Sequence, residues 1–378
     1  MNQEKDFDLR DLTGLLKSSA EQMRGPSLAS LDESLAKSSP GLLAIEPVSL
    51  DFQHAEVPLE TASLVSVVKT GLRAAIQLEF ATIPLYLTAL WSIIDQSHPA
   101  AISIRAVAHE EMLHLSLLCN LLSALGERPI LTGSAVPRFP GRFPGRVHDE
   151  LELRLEGYGP TALATFMEIE RPEKPVRIID EPIESFPEED TTIGEFYEAL
   201  LTAIRKLDPP LDPTRQIAGP FTWFVMTNIK HVEEAIGLIM AQGEGARGMP
   251  FSRYPRFLSH YYRFKSLAIL RELKWDDAEK ALRKGAHLAP PPVFTLGPAS
   301  SNGYGPAVPR SLKVAHDRFE ETFSEMLRLL EGSWLDGGDK SFVRALELMF
   351  DLGSLAQDMM RIGRPDGRGY CPCFGYRP

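Results

Sequence analysis

A helical-period stretch of unusual length and very low charge does most to limit what this chain can become. It reads SLVSVVKTGLRAAIQLEFATIPLYLTALWSII over residues 63–94, far beyond the three turns of an average globular helix. A helix that is apolar nearly all round has to be covered on every side, so it belongs at the centre of a helical bundle. It starts after Pro58, with Glu60 or Thr61 available as a cap. Pro84 falls inside it and should kink it, because its nitrogen cannot donate to the Phe80 carbonyl. Glu79 sits in the most apolar part, with no basic residue near it in sequence.

A second helix is expected over about 101–125, ending at Gly126 with Pro129 beyond. Its seam runs Val107, Glu111, His114, Leu118, Leu121, Leu125 in steps of three and four. Glu111 and His114 therefore occupy places that leucine would normally fill, whereas His109 and Glu110 point elsewhere. A buried carboxylate without a partner costs several kcal/mol, so such a group is paired or metal-bound. Glu and His three apart on an inward face form half of a carboxylate-bridged two-metal motif. The competing reading is a Glu–His hydrogen bond closed inside the core, with Glu79 a lone acid of raised pKa.

Helical spacing returns over about 161–170, 191–207, 227–242 and 256–273, and again near 311–331 and 340–361. The Pro- and Gly-rich crossover at 127–190 carries a strand-like alternation at 150–156. Two helices, a long crossover and two more helices make one of the topologies of a four-helix bundle. The expected fold is all-α: a bundle with a long crossover and appended C-terminal helices. The expected organisation is a polar extension at 1–57 and a metal-binding bundle at 58–275. A Pro-rich linker at 276–310, a helical pair at 311–363 and a tail at 364–378 follow. The 1–57 segment shows a weak amphipathic pattern over residues 12–35 and reads as loosely docked or partly disordered.

The second half of a two-metal site is open on spacing alone. Glu170 shares the face of Leu163, Phe166 and Met167 and is the better inward acid, with Glu168 pointing away. Glu195 and Glu198 lie off the apolar face of Ile193, Phe196, Leu200 and Ile204, as solvated charges would. The Glu-x-x-His expected on a fourth helix is missing. His231 and Glu234 appear in reverse order, and Glu244, flanked by glycines, and His260 are the alternatives.

Composition narrows the partners. Forty basic against 51 acidic residues leave a net charge of -11, which argues against a nucleic-acid footprint. Three cysteines, Cys119, Cys371 and Cys373, make neither a disulfide framework nor a closed zinc site. The charged start of the chain has no apolar signal core, and no run reaches about 18 uninterrupted apolar residues. The expectation is a cytoplasmic protein with no membrane partner.

The stretches QLEFATIPLYLTALWS, AHEEMLHLSLLCNLLSALGERP, FMEIERPEKP, TIGEFYEAL, QGEG and SHYYRF resemble the ferritin-like family of iminophenyl-pyruvate dimer synthases. Those enzymes couple amino-acid-derived imines in violacein, rebeccamycin and staurosporine biosynthesis, and the likeness spans roughly residues 57–361. It implies Glu79, Glu111, His114, Glu170, Glu195, Glu244 and His260 as the metal-binding residues. It implies iron as the cofactor, as two ferrous ions. With it comes the expectation of a non-haem iron oxidoreductase in secondary metabolism, whose partners are dioxygen and a small amino-acid-derived substrate. A homodimer is compatible with the sequence. The alternatives are a non-catalytic metal-binding or storage bundle and a mononuclear site of Glu79, Glu111 and His114 alone.

Overall fold

In a computed structural model, the described residues are 61–378 apart from 144–146, 149, 183–191, 218–224, 244, 246–248, 252–256, 300–303, 305–307 and 337–338. The expectations for the 1–57 extension lie outside them.

The long apolar stretch forms a single helix, α1 (Thr61–Ser92), that carries Pro84 in its interior. Two threonines near Pro84 bond back within the helix: Thr82 donates to Glu79 O at 2.8 Å and Thr88 to Pro84 O at 2.7 Å. From Leu64 to Ser92 it is long and apolar enough to cross a membrane, but 89% of its most apolar window is buried inside the protein. A short connection leads to α2 (Pro99–Ala124), which packs along it. His98 caps α2, accepting from Ala100 N at 3.1 Å, and Pro99 supplies the first-turn residue that needs no donor. Gly126 ends it at φ +77, with Gly126 N donating to Ser123 O and Glu127 N to Leu122 O. A Cβ at Gly126 would meet no atom, so Gly126→Ala tests backbone strain alone. It should lower stability by about 1–2 kcal/mol, read as a drop in the thermal midpoint, and an unchanged midpoint would contradict that account.

The crossover carries α3 (Pro160–Ile169) and leads to α4 (Ile193–Leu207), followed by α5 (Ile229–Gly243) and α6 (His260–Ala268). α4 and α5 complete the bundle with α1 and α2, while α3 and α6 pack on each other and α6 also on α2. The alternation at 150–156 yields a single bridge, Leu153 to Gly141.

The helix expected over 256–273 is corrected at both ends. α6 stops at Ala268, and Leu270 at φ +53 turns the chain into a two-stranded antiparallel hairpin. Its strands are β1 (Arg271–Asp276) and β2 (Ala281–His287), so the first third of the expected linker belongs to the hairpin. Both strands are rich in charge and half-exposed, and helical spacing at Leu267, Leu270 and Leu273 concealed the change of period. The hairpin is anchored by a small cluster of Ile178, Tyr261, Tyr262, Leu273 and Leu282.

α7 (Arg310–Asp336) and α8 (Asp339–Arg361) form a helix hairpin whose core is continuous with that of the bundle. Asn120, buried in α2, ties the two parts together. It bonds Ile217 through both backbone groups, at 2.9 and 3.0 Å, and accepts from Trp334 Nε1 at 2.8 Å. The tail closes over the same seam, with Phe374 stacked on Trp91 at 5.9 Å and Arg377 paired to Asp317 and Glu320.

Candidate metal centre

Four elements bring acids and imidazoles into one dry volume. α1 contributes Glu79, α2 contributes Glu111 and His114, the end of α3 contributes Glu170, and the first residue of α6 contributes His260. All five are at most 5% exposed. They form two overlapping groups, Glu79–Glu111–His114 and Glu111–Glu170–His260, in each of which the ligand atoms lie within 4.8 Å of one another. Glu111 belongs to both. Within the groups, His114 Nδ1 is 3.3 Å from Glu79 and 3.7 Å from Glu111, and His260 Nδ1 is 2.8 Å from Glu111 and 3.5 Å from Glu170.

The surroundings hold these groups in place. Tyr197 donates to Glu79, Tyr86 to Glu170 at 2.5 Å, and Thr82 to Glu111 at 2.9 Å. Both imidazoles turn Nδ1 inward and Nε2 outward. His114 Nε2 lies 2.7 Å from Gln242 Oε1, and His260 Nε2 lies 2.7 Å from Glu110 Oε2. Glu110 is in turn paired with Arg263 at 3.0 Å.

The electrostatics describe carboxylates crowded together without enough positive charge. Burial, reinforced by the like charges of Glu170 and Glu79, pushes Glu111 up to about 8. Burial also works against a charge on Glu79, but the His114 imidazole and then Glu111 and Tyr197 hold its carboxyl below the usual range. His260 and His114 are raised in spite of burial, His260 chiefly by Glu170 and then Glu110, His114 by Glu79 and then Glu111. Burial opposes ionisation of Glu110 as well, yet Arg263 and His260 bring it down to about 2. Glu111 is thus driven towards its neutral form, at the point where Glu79 and Glu170 converge.

The donor set fits metal ions. His260 Nδ1 is buried 2.8 Å from Glu111 Oε1 but out of line for a hydrogen bond, as two atoms facing a common centre would be. Three carboxylates and two imidazoles with one shared glutamate match the ligand chemistry of carboxylate-bridged pairs of iron or manganese.

Of the residues expected from sequence, the structure gathers Glu79, Glu111, His114, Glu170 and His260. Glu244 lies outside the described residues. Glu195 is corrected: it is exposed at the start of α4, where its carboxylate accepts from Thr192 N at 2.8 Å and Thr192 Oγ1 accepts from Glu195 N at 3.1 Å. That reciprocal pair is a capping box. Position in the family pattern pointed inward here, and the helical face, which pointed outward, matches its placement. His231, which faces Thr227 at 3.2 Å, and Glu234, exposed, are not part of the cluster. On the fourth bundle helix the residue that reaches the site is Gln242, and Gly243 beside it gives Glu170 room: a Cβ there would stand 3.2 Å from Glu170 Oε2. Sequence reading passed over Glu110, Thr82, Tyr86, Tyr197 and Gln242. Thr82 and Tyr86 follow Glu79 at three and seven residues, a helical repeat that was there to be read.

A bundle with buried Glu-x-x-His and a shared glutamate defines the class of ferritin-like carboxylate proteins. The family model described as ferritin-like matches residues 72–269, just over half of the chain, and the chain belongs to that family. A ferritin-like protein from Caulobacter vibrioides, solved at 1.95 Å, superposes with a TM-score of 0.59. It is 22% identical, and the match covers 82% of this chain and 97% of that one, a likeness that shows the fold. Among curated proteins none matches.

Proposed function

We propose that this chain is a di-iron oxidoreductase acting on a small amino-acid-derived substrate, as its likeness to the imine-coupling synthases suggests. The observation that carries the reading is the sharing of Glu111 between two buried acid–imidazole groups. Glu79 and His114 would hold one ion, Glu170 and His260 the other, with Glu111 between them. Bound there, two ferrous ions would supply the electrons by which dioxygen is reduced in the oxidation of a substrate. The protein's part is to keep the ligands dry, to fix the carboxylates through Tyr86, Tyr197 and Thr82, and to aim both Nδ1 atoms inward.

The test is metal analysis of chain purified without chelator, with oxygen uptake followed on reduction. Two irons per chain and substrate-dependent uptake are expected; a chain that takes up iron but consumes no oxygen with any amino-acid-derived acid is a binding protein instead. Metal loading should also release protons. Near pH 7 Glu111 is protonated in the metal-free chain, since its pKa is about 8, and ligation requires the carboxylate; the raised His114 and His260 rings must give up their protons as well. Release should therefore shrink as pH rises through about 8, where Glu111 is already ionised. Calorimetric titration in buffers of different ionisation enthalpy reads this directly, and a proton count that grows with pH would contradict the assignment.

A further inference from the structure

A second feature of the structure shares no residue with the Glu–His cluster. A cavity of about 100 Å³ lies between the α1–α2 and α7–α8 hairpins. Its walls include Pro84 from α1, Met112 from α2, Met326 from α7, Met349 from α8 and Phe374 from the tail. The three methionines are half-buried, so the lining reaches towards the surface. Methionine walls adapt to ligands of different outline.

Only three lining side chains carry a polar atom: His109, Ser116 and Trp334. Two are committed, Ser116 Oγ donating to Leu113 O at 3.1 Å and Trp334 Nε1 to Asn120 at 2.8 Å. His109 makes no hydrogen bond among the described residues, and its Nδ1 is buried without a partner. A neutral imidazole there offers one donor and one acceptor nitrogen. An unused imidazole in an otherwise apolar wall is costly unless something completes it.

We propose that this cavity binds a small uncharged aromatic molecule bearing one hydroxyl or N–H group, held by the apolar walls and hydrogen-bonded to His109. At about 100 Å³ it is smaller than the roughly 150 Å³ apolar cavity that accepts benzene, so one ring is the largest occupant, seated partly in the mouth between the half-buried methionines. No charged side chain lines it, so an ion would lose its hydration there without a partner.

The test uses the full chain with phenol and toluene, which differ by a hydroxyl for a methyl, followed by calorimetry or ligand-observed NMR. Saturable one-to-one binding of both is expected. His109→Phe should weaken phenol about tenfold, the worth of one buried hydrogen bond, and leave toluene unchanged. Met349→Trp, at a half-buried wall position, should abolish both. Binding in Glu111→Gln should match the parent, because that residue lies outside the cavity. The proposal is overturned if phenol binds without saturation, if His109→Phe weakens both ligands alike, if Met349→Trp leaves phenol binding intact, or if Glu111→Gln abolishes it while its circular dichroism shows the parent's helix content.

Discussion

Glu111→Gln should leave a folded protein that holds neither metal ion. The shared position makes this the most damaging single change in the site: each group of ligands loses its common carboxylate at once. An amide oxygen carries no charge, and the remaining Glu79–His114 and Glu170–His260 pairs supply only two ligands each. Fold and metal can be separated here because Glu111 is driven neutral in the metal-free chain, with a pKa of about 8. At pH 7 glutamine therefore replaces a protonated acid of the same shape. The sign of the pH effect follows. A carboxyl whose folded pKa is raised stabilises the fold fully below its unfolded value near 4.5, and that contribution fades as pH rises through about 8. Metal-free wild type should lose stability over that window, and Glu111→Gln should lose less of it. Metal content by mass spectrometry and thermal midpoints from pH 5 to 9 read both effects. Two metals retained per chain would sink the shared-ligand assignment; loss of the fold at pH 7 would mean that Glu111 serves as a structural partner of His260.

What the sequence disclosed depended on periodicity. Glu79, Glu111 and His114 stand where a seam calls for leucine, on helices long enough for the face to be unambiguous. Glu170 was legible for the same reason, although it sits at the C-cap of α3, beyond the last helical residue. Glu195 failed because a first-turn acid three residues after a threonine satisfies the helix end it begins, whatever its place in a family pattern. The hairpin after α6 was hidden because leucines at 267, 270 and 273 fit a helix as well as a turn into a strand. Glu110 was set aside since it points away from the α2 seam, and it does; its partners His260 and Arg263 arrive from α6, some 150 residues later. Contacts of that separation leave no local trace in spacing.

Glu110 is also where the two halves of the site part company. Behind His260 stands a full negative charge, a carboxylate at about 2 that Arg263 holds ionised and in place. Behind His114 stands a neutral amide, Gln242. A carboxylate accepting from Nε2–H makes Nδ1 a stronger donor to metal and fixes the ring, and losing such a partner costs about 10–100-fold in metal affinity. Glu110→Gln should therefore weaken one of two binding steps by that factor, about 1.4–2.8 kcal/mol, and leave the other near its parent value. Gln242→Ala removes an uncharged acceptor and should weaken the opposite step by less. Stepwise titration of metal-free chain with cobalt(II), followed by its ligand-field absorption, resolves the two constants without reference to turnover. Helix content by circular dichroism shows whether freeing Arg263 has disturbed α6. If Glu110→Gln lowers both constants equally in a folded chain, the ions do not divide between His114 and His260 as their surroundings imply. If neither constant moves, Glu110 serves Arg263 alone, and His260 does not hold a metal through Nδ1.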